Sequence, residues 1–253
     1  MLKVVLSCRS LRSLKSLLAG WLFCYAHELH PAYCATLYLY EEASNIGTKP
    51  ASPYIAGGKN RKEQNSISQF LGEIFMNITV YLGANEGNDP CLRKAVEELG
   101  AWIGNRGHTL IYGGSKSGLM GILADSVLTA GGEVIGVEPQ FFIENELQHD
   151  GLTKLIVTKD MTERKNKMIA LGEVFIAFPG GTGTLEEMAE VMSKVSLKQL
   201  HAPCLIYNLN GYYDALKDLL HHMMEKGLSS KERQEGIYFA KNLDEIERIL
   251  KRA

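Results

Sequence analysis

No CxxC pair and no Cys/His spacing suited to zinc occurs in the 253 residues. The five cysteines, Cys8, Cys24, Cys34, Cys91 and Cys204, are scattered and odd in number. That argues against a metal knuckle and against a disulfide framework, and leaves free thiols in a reducing, cytoplasmic compartment as the simplest reading. Charge of one sign is lacking too. The 27 basic and 29 acidic residues give a formal net charge of −2, so no basic field points to a nucleic-acid partner. The apolar stretch at 17–25 is nine residues long, too short to span a bilayer. Internal repeats and low-complexity tracts are missing as well. What is present is 45% hydrophobic content, enough for one sizeable core or a domain with an extension.

The charge is distributed unevenly. Residues 1–75 carry eight Lys/Arg and five Asp/Glu, a net of +3, and residues 76–253 carry the remaining 19 and 24, a net of −5. The first part opens MLKVVLSCRSLRSLKSLLAGWLFCY, with no acid before Glu28, and then passes through NIGTKPASPYIAGGKNRKEQNS, which has loop composition. A cleaved targeting peptide is one reading, but no small-x-small cleavage site follows. The preferred expectation is that residues 1–75 form a poorly ordered, non-core N-terminal extension, and that the folded domain spans 76–253.

From Met76 a regular alternation sets in. Strands are expected at 77–83, 108–114, 133–139, 153–160, 173–181 and 202–211. Helices are expected at 90–107, 118–132, 161–172, 184–200 and 212–227, with a last amphipathic segment at the C-terminus. Such a series reads as βαβ units, hence an α/β domain with an open parallel sheet and helices on both faces. Ligands of such sheets bind beyond the carboxyl ends of the strands. Those ends carry glycine clusters here: Gly83, Gly113 with Gly114, and Gly180, Gly181 and Gly183.

The stretch AFPGGTGTLEE, 177–187, leaves an apolar strand through nearly side-chain-free residues and enters a helix. A helix start offers unpaired N–H groups and the positive end of the dipole, and glycines let a phosphate approach them closely. Thr182 and Thr184 add hydroxyl donors. Two familiar motifs are excluded: a glutamate stands where the ATP-binding loop needs lysine, and neither LGANEG nor GGSKSGLMG fits the dinucleotide fingerprint. Glu186 and Glu187 are expected in the first turn of the helix, where dipole-favoured acids are common. An ionised acid beside a phosphate needs a cation, and MTERKNKM offers Arg164, Lys165 and Lys167. Arg164, with its planar fork, suits a bridge between phosphate-sugar and acid. Lys167 reads as part of a solvated face.

PGGTGTLEE with MTERKNKM upstream resembles the Lonely Guy family of cytokinin-activating nucleotide phosphoribohydrolases, whose members carry PGGxGTxxE and are often mislabelled lysine decarboxylases. The resemblance extends through YGGSKSGLMG, EVIGVEPQFF and NLNGYYDAL, over nearly all of 76–253. It implies a Rossmann-like fold, a homodimer, no redox cofactor or metal, and hydrolysis of the N-glycosidic bond of a nucleoside 5′-monophosphate to free base and ribose 5-phosphate. By the motif, Arg164 and Glu187 are the catalytic pair. Gly181, Thr182, Gly183, Thr184, Leu185 and Glu186 hold phosphate and ribose, with Lys165 beside them, and Glu146 and Ser193 are substrate contacts. Thr182 replaces a tyrosine common in plant members, and GGSKSGLMG departs from the usual GGGxxGLMG, which leaves the base preference open between cytokinin-type and adenine nucleotides.

Bond cleavage builds positive charge on the sugar, which a carboxylate stabilises, and this role is assigned to Glu187. No side chain stands out in the sequence as the acid that protonates the departing base. The alternative reading is a nucleotide-binding carrier or sensor without turnover, which would have no need of both Arg164 and Glu187. Amino-acid decarboxylation would require a pyridoxal-bearing lysine with a matching acid, and 76–253 shows no such pairing.

Overall fold

The alternation predicted from Met76 onward is realised as one parallel sheet. The computed structural model describes residues 75–144 and 148–252. Among them, β1 (Asn77–Tyr81), β2 (Thr109–Tyr112), β3 (Glu133–Pro139), β4 (Lys154–Thr158), β5 (Val174–Ala177), β6 (Cys204–Tyr207) and β7 (Ile237–Ala240) pair in the order β4-β3-β2-β1-β5-β6-β7. Every neighbouring pair is parallel. The connections carry α1 (Pro90–Asn105), α2 (Gly118–Thr129), α3 (Gln140–Ile143), α4 (Met161–Leu171), α5 (Thr182–Ser196), α6 (Asp214–Glu225) and, after β7, α7 (Leu243–Leu250). The expectations for the leader and for Glu146 fall outside the described residues.

Period-two alternation divides the apolar side chains between two cores. Ile78 and Val80 of β1 and Val174 and Ile176 of β5 enter one core, beneath Val96, Leu99 and Ile103 of α1, Leu123 and Val127 of α2 and Ile246 of α7. Tyr81, Phe175 and Ala177 enter the other, against Met168 of α4 and Met188, Val191 and Val195 of α5. Helices therefore cover both faces, and the central strands read as near-continuous apolar runs because neither of their faces meets water.

The chain builds outward from β1 to β4, then returns to lay β5 on the opposite flank of β1. The carboxyl ends of β1 and β5 thus lie side by side at the point where the strand order reverses, which is where ligands of open α/β sheets are held.

Some details differ from the sequence reading. A seventh strand, Ile237–Ala240, completes the sheet; it is four residues long and follows a turn-rich stretch, so its signal was weak. The helix expected at 184 begins at Thr182 and ends at Ser196. The Thr-Gly-Thr segment is therefore the first turn itself, and Glu186 and Glu187 lie beyond it. The helix-dipole explanation for these acids fails accordingly. Three helix starts are capped by side chains, with Asp89 accepting from the Cys91 amide, Asp160 from Glu163 and Asn242 from Glu245, while α2, α3 and α6 start without one. At α5 the capping residue is Gly181, which has no side chain to offer.

His108, 6% exposed at the entry to β2, accepts a hydrogen bond from the Met76 amide at 3.3 Å and stands edge-on to Trp102. Burial and then the nearby Arg106 push its imidazole down to about 4. The folded chain holds this ring neutral while the unfolded chain protonates it near its ordinary value, so stability is fully present above about pH 6.5 and falls as pH drops towards 4. Urea denaturation is expected to show a loss of about 3 kcal/mol from this group across that window. His108→Asn, which keeps an acceptor but cannot titrate, is expected to flatten that slope.

Candidate active site

Asp160 starts α4 directly after β4, which brings Arg164 round one turn later to face the sheet. Glu187 projects from the buried side of α5. The two side chains are 5% and 7% exposed and meet with Arg164 Nη1 2.5 Å from Glu187 Oε1. Arg164 Nε also donates to the Val137 carbonyl at 3.0 Å, which fixes the plane of the guanidinium at the end of β3. Burial pushes the Glu187 carboxyl above its ordinary range, and the Arg164 charge opposes that rise. The Tyr81 phenol, buried at the end of β1, feels the same pair: burial and the Glu187 charge push it up while Arg164 pulls it down. A charge-assisted hydrogen bond of this length is what allows a carboxylate to stay ionised in so dry a place.

Beside the pair lies the glycine loop. Phe178 N donates to Tyr81 O at 2.9 Å, extending the β1–β5 pairing by one bond. The loop carbonyls are then taken by two tyrosines, with Tyr213 Oη donating to Phe178 O at 2.9 Å and Tyr212 Oη to Gly180 O at 2.6 Å. A Cβ at Gly180 would stand 2.9 Å from the Gly83 amide nitrogen and press on the Thr184 hydroxyl, so the crossing of the two strand ends demands glycine there. Gly181 and Gly183 differ: a Cβ on either would meet nothing within 4 Å. The first helical bond of α5 is Leu185 N to Gly181 O at 3.0 Å, so the amides of Thr182, Gly183 and Thr184 have no intrahelical acceptor. They form an uncapped donor cluster beneath open space. Thr182 is exposed, whereas Thr184 is buried with its hydroxyl against Gly180; Leu185 points to solvent.

Lys165 follows Arg164 but faces outward, with its Nζ 2.6 Å from Glu186 Oε1 and 3.3 Å from Glu190 Oε2. These bonds, Glu186 first, hold its ammonium above the ordinary range against partial burial. The two acids on the outer side of α5 are thereby neutralised. At the end of β2, a Cβ on Gly113 would collide with Arg164 Nη2, and Gly114, at φ +90°, brings bare backbone against the Glu138 carboxyl. Arg164, Glu187, Gly113, Gly114, Gly180 and the 181–184 turn thus share one rim. Ser193 stands exposed on α5, about 9 Å further along the axis than Glu187.

Residues not singled out from the sequence complete the site. Tyr212 and Tyr213 anchor the loop, and Tyr81 faces the ion pair. Glu138 is 1% exposed at the end of β3, with Oε2 making no hydrogen bond among the described residues, and Gln148 Oε1 is likewise buried and unpartnered. A lone acid inside the apolar run EVIGVEP was the available signal for Glu138. The described residues contain no cluster of three or more His, Cys, Asp or Glu side chains suited to a metal ion, and no helix long and apolar enough to cross a membrane.

Comparison with known proteins adds to this geometry. Residues 120–250 match the family model described as "Possible lysine decarboxylase". The cytokinin riboside 5′-monophosphate phosphoribohydrolase of Rhodococcoides fascians is 38% identical over 168 residues, covering 66% of this chain and 85% of that protein. The enzyme of the same name from Arabidopsis thaliana is 34% identical over 172 residues, covering 68% and 81%. Among solved structures, the molybdenum cofactor binding protein of Rippkaea orientalis superposes with a TM-score of 0.52 at 24% identity, covering 71% of this chain and 97% of that one, a likeness of fold.

The ion pair makes a stability prediction. Glu187→Ala strands a buried guanidinium and is expected to cost about 3–5 kcal/mol by chemical denaturation, whereas the double change Arg164→Leu, Glu187→Leu is expected to recover most of that loss. Glu186→Ala, at the solvent-facing pair with Lys165, is expected to cost no more than about 1 kcal/mol.

Proposed function

The chain belongs to the Lonely Guy family, and from that premise we propose that it hydrolyses the N-glycosidic bond of a purine nucleoside 5′-monophosphate, of the cytokinin type or adenine itself, to free base and ribose 5-phosphate. One observation carries the reading: the buried Arg164–Glu187 pair lies beside a helix N-terminus whose amides are uncapped and open.

In this reading the 5′-phosphate accepts hydrogen bonds from the amides of Thr182, Gly183 and Thr184 and from the Thr182 hydroxyl, where the helix dipole also favours it. Glycine at 181 and 183 keeps that approach open. Lys165 lowers the repulsion between the phosphate and Glu186 by neutralising the outer acids of α5. The ribose then extends along the rim towards Glu187, with Gly113 and Gly114 beneath it. Loss of the base leaves an oxocarbenium-like sugar, and the ionised Glu187 stabilises it and orients the ring hydroxyls or the attacking water. Arg164 keeps Glu187 charged and aimed. Glu146 and Ser193 enter as substrate contacts through the family resemblance alone.

A homodimer, cytoplasmic and without nucleic-acid partners, belongs to the same reading. Leu185 and Leu197 near the two ends of α5, with Tyr212 and Leu219, present the exposed apolar surface a second copy would cover.

Purified full-length chain incubated with AMP and with a prenylated AMP is expected to release free base, scored by chromatography. Glu187→Gln is expected to lower kcat by roughly 10²–10³ with little change in KM. Tight AMP binding with no base released over hours would instead favour the non-catalytic carrier reading. Gly183→Ala separates binding from folding. It lies inside α5, where alanine is expected to raise stability by about 0.5–1 kcal/mol, yet its methyl intrudes where the phosphate sits, so KM is expected to rise.

A further inference from the structure

The departing base leaves with the bonding electron pair of its ring nitrogen, and a proton delivered to the base makes it a better leaving group. Arg164 and Glu187 cannot deliver one, because each is committed to the other. We propose that Glu138 is a further catalytic group of this site, the acid that protonates the base as the glycosidic bond breaks. The inference rests on the nucleotide-hydrolysis reading above and assigns a residue which that reading leaves without a role.

Four observations converge on Glu138. It stands at the carboxyl end of β3, next to Val137, whose carbonyl holds the Arg164 guanidinium. Its side chain is 1% exposed, and Oε2 has no hydrogen-bond partner among the described residues, an arrangement that costs stability unless a ligand or proton completes it. The residue facing it is Gly114, at φ +90°; a Cβ there would lie 3.2 Å from Oε2, so the rim next to the ion pair is left bare of side chain just where the carboxyl lies. The second unpartnered acceptor, Gln148 Oε1, belongs to the segment bridged to Ser115, with the His149 amide donating to Gly114 O at 2.9 Å. Two unmatched polar atoms therefore flank one short run of backbone, as a base edge with donors and acceptors would require.

The charges around Glu138 suit the role. Burial lifts its carboxyl above the ordinary range, and Arg164 of α4 opposes the lift. Tyr112 of β2 faces it with a phenol pushed up by burial and by Glu138 itself. Asp125 of α2 acts on that same phenol and is held 3.0 Å from His149. The step balances without a co-reactant. The C1′–N bond breaks and its electron pair passes to the base; the Glu138 proton goes to a ring nitrogen of the base; water adds to C1′ and its surplus proton restores Glu138. This division between a protonated and an ionised carboxyl is how one site runs acid and electrostatic chemistry together.

The test compares two substrates on the full-length chain: AMP, whose base needs a proton, and the nitrophenyl glycoside of ribose 5-phosphate, whose leaving group does not. Glu138→Gln is expected to lower kcat on AMP by about 10²-fold or more, to leave KM within a few-fold, and to keep near wild-type turnover of the nitrophenyl substrate. The alkaline limb of the kcat–pH profile for AMP is expected to disappear in the same variant. Glu138→Asp, a shorter acid, is expected to retain partial AMP activity and the full nitrophenyl rate, and it serves as the reference if the Gln variant melts early by circular dichroism. Equal losses on both substrates, or undiminished AMP turnover by Glu138→Gln, would overturn the assignment. Wild-type chain that cleaves neither substrate would overturn the hydrolase reading and this proposal with it.

Discussion

A guanidinium and a carboxylate held 2.5 Å apart in a nearly dry place impose the main constraint on this fold. Neither charge tolerates burial alone, so α4 and α5 must be brought together in one relative setting, and the end of β3 must lend a carbonyl to the arginine. The parallel sheet provides that setting. Its strand order reverses between β1 and β5, so helices that follow β4 and β5 converge above the same edge. An apolar contact of similar volume would hold these helices at least as well, so folding stability alone does not account for the pair.

Around that constraint the proposed site separates binding from reaction. In the proposed reading the phosphate end is made of backbone, with an uncapped first turn, an open surface over Gly181 and Gly183, and lysine-neutralised acids on the outer side of the helix. The reacting end, in the same reading, is made of buried side chains whose ionisation is set by burial and by one arginine. Glu187 is tied to Arg164 by a hydrogen bond, while Glu138 feels the same cation without bonding to it. Two carboxyls with unlike surroundings are the raw material for two different protonation states.

Much of this was legible in the residues. Strand and helix alternation is a periodic signal, and the glycine clusters fell at strand ends because backbone must pass close to backbone there, as Gly180 does with Gly83. Arg164, Lys165 and the 180–187 run were picked out because their residue types suit one chemistry together, and the structure brings them to one rim. The start of α5 was misjudged by two residues, since Thr-Gly-Thr has poor helix propensity and only Thr184 of the three is buried. Glu138 escaped notice because a single acid in an apolar strand is ambiguous until its neighbours are known. The tyrosines escaped because their hydroxyls act on carbonyls remote in sequence.

Tyr212 and Tyr213 reach back 32 and 35 residues to the segment they secure. A fragment ending after α5 would contain Arg164, Glu187 and the whole glycine run, yet nothing would grip the carbonyls of Phe178 and Gly180 from behind. The half of the fold that contributes neither member of the ion pair is thus a jig for the half that does. The glycine loop takes its shape only once the later strands have docked, and a nascent chain acquires the ion pair well before the loop beside it is secured.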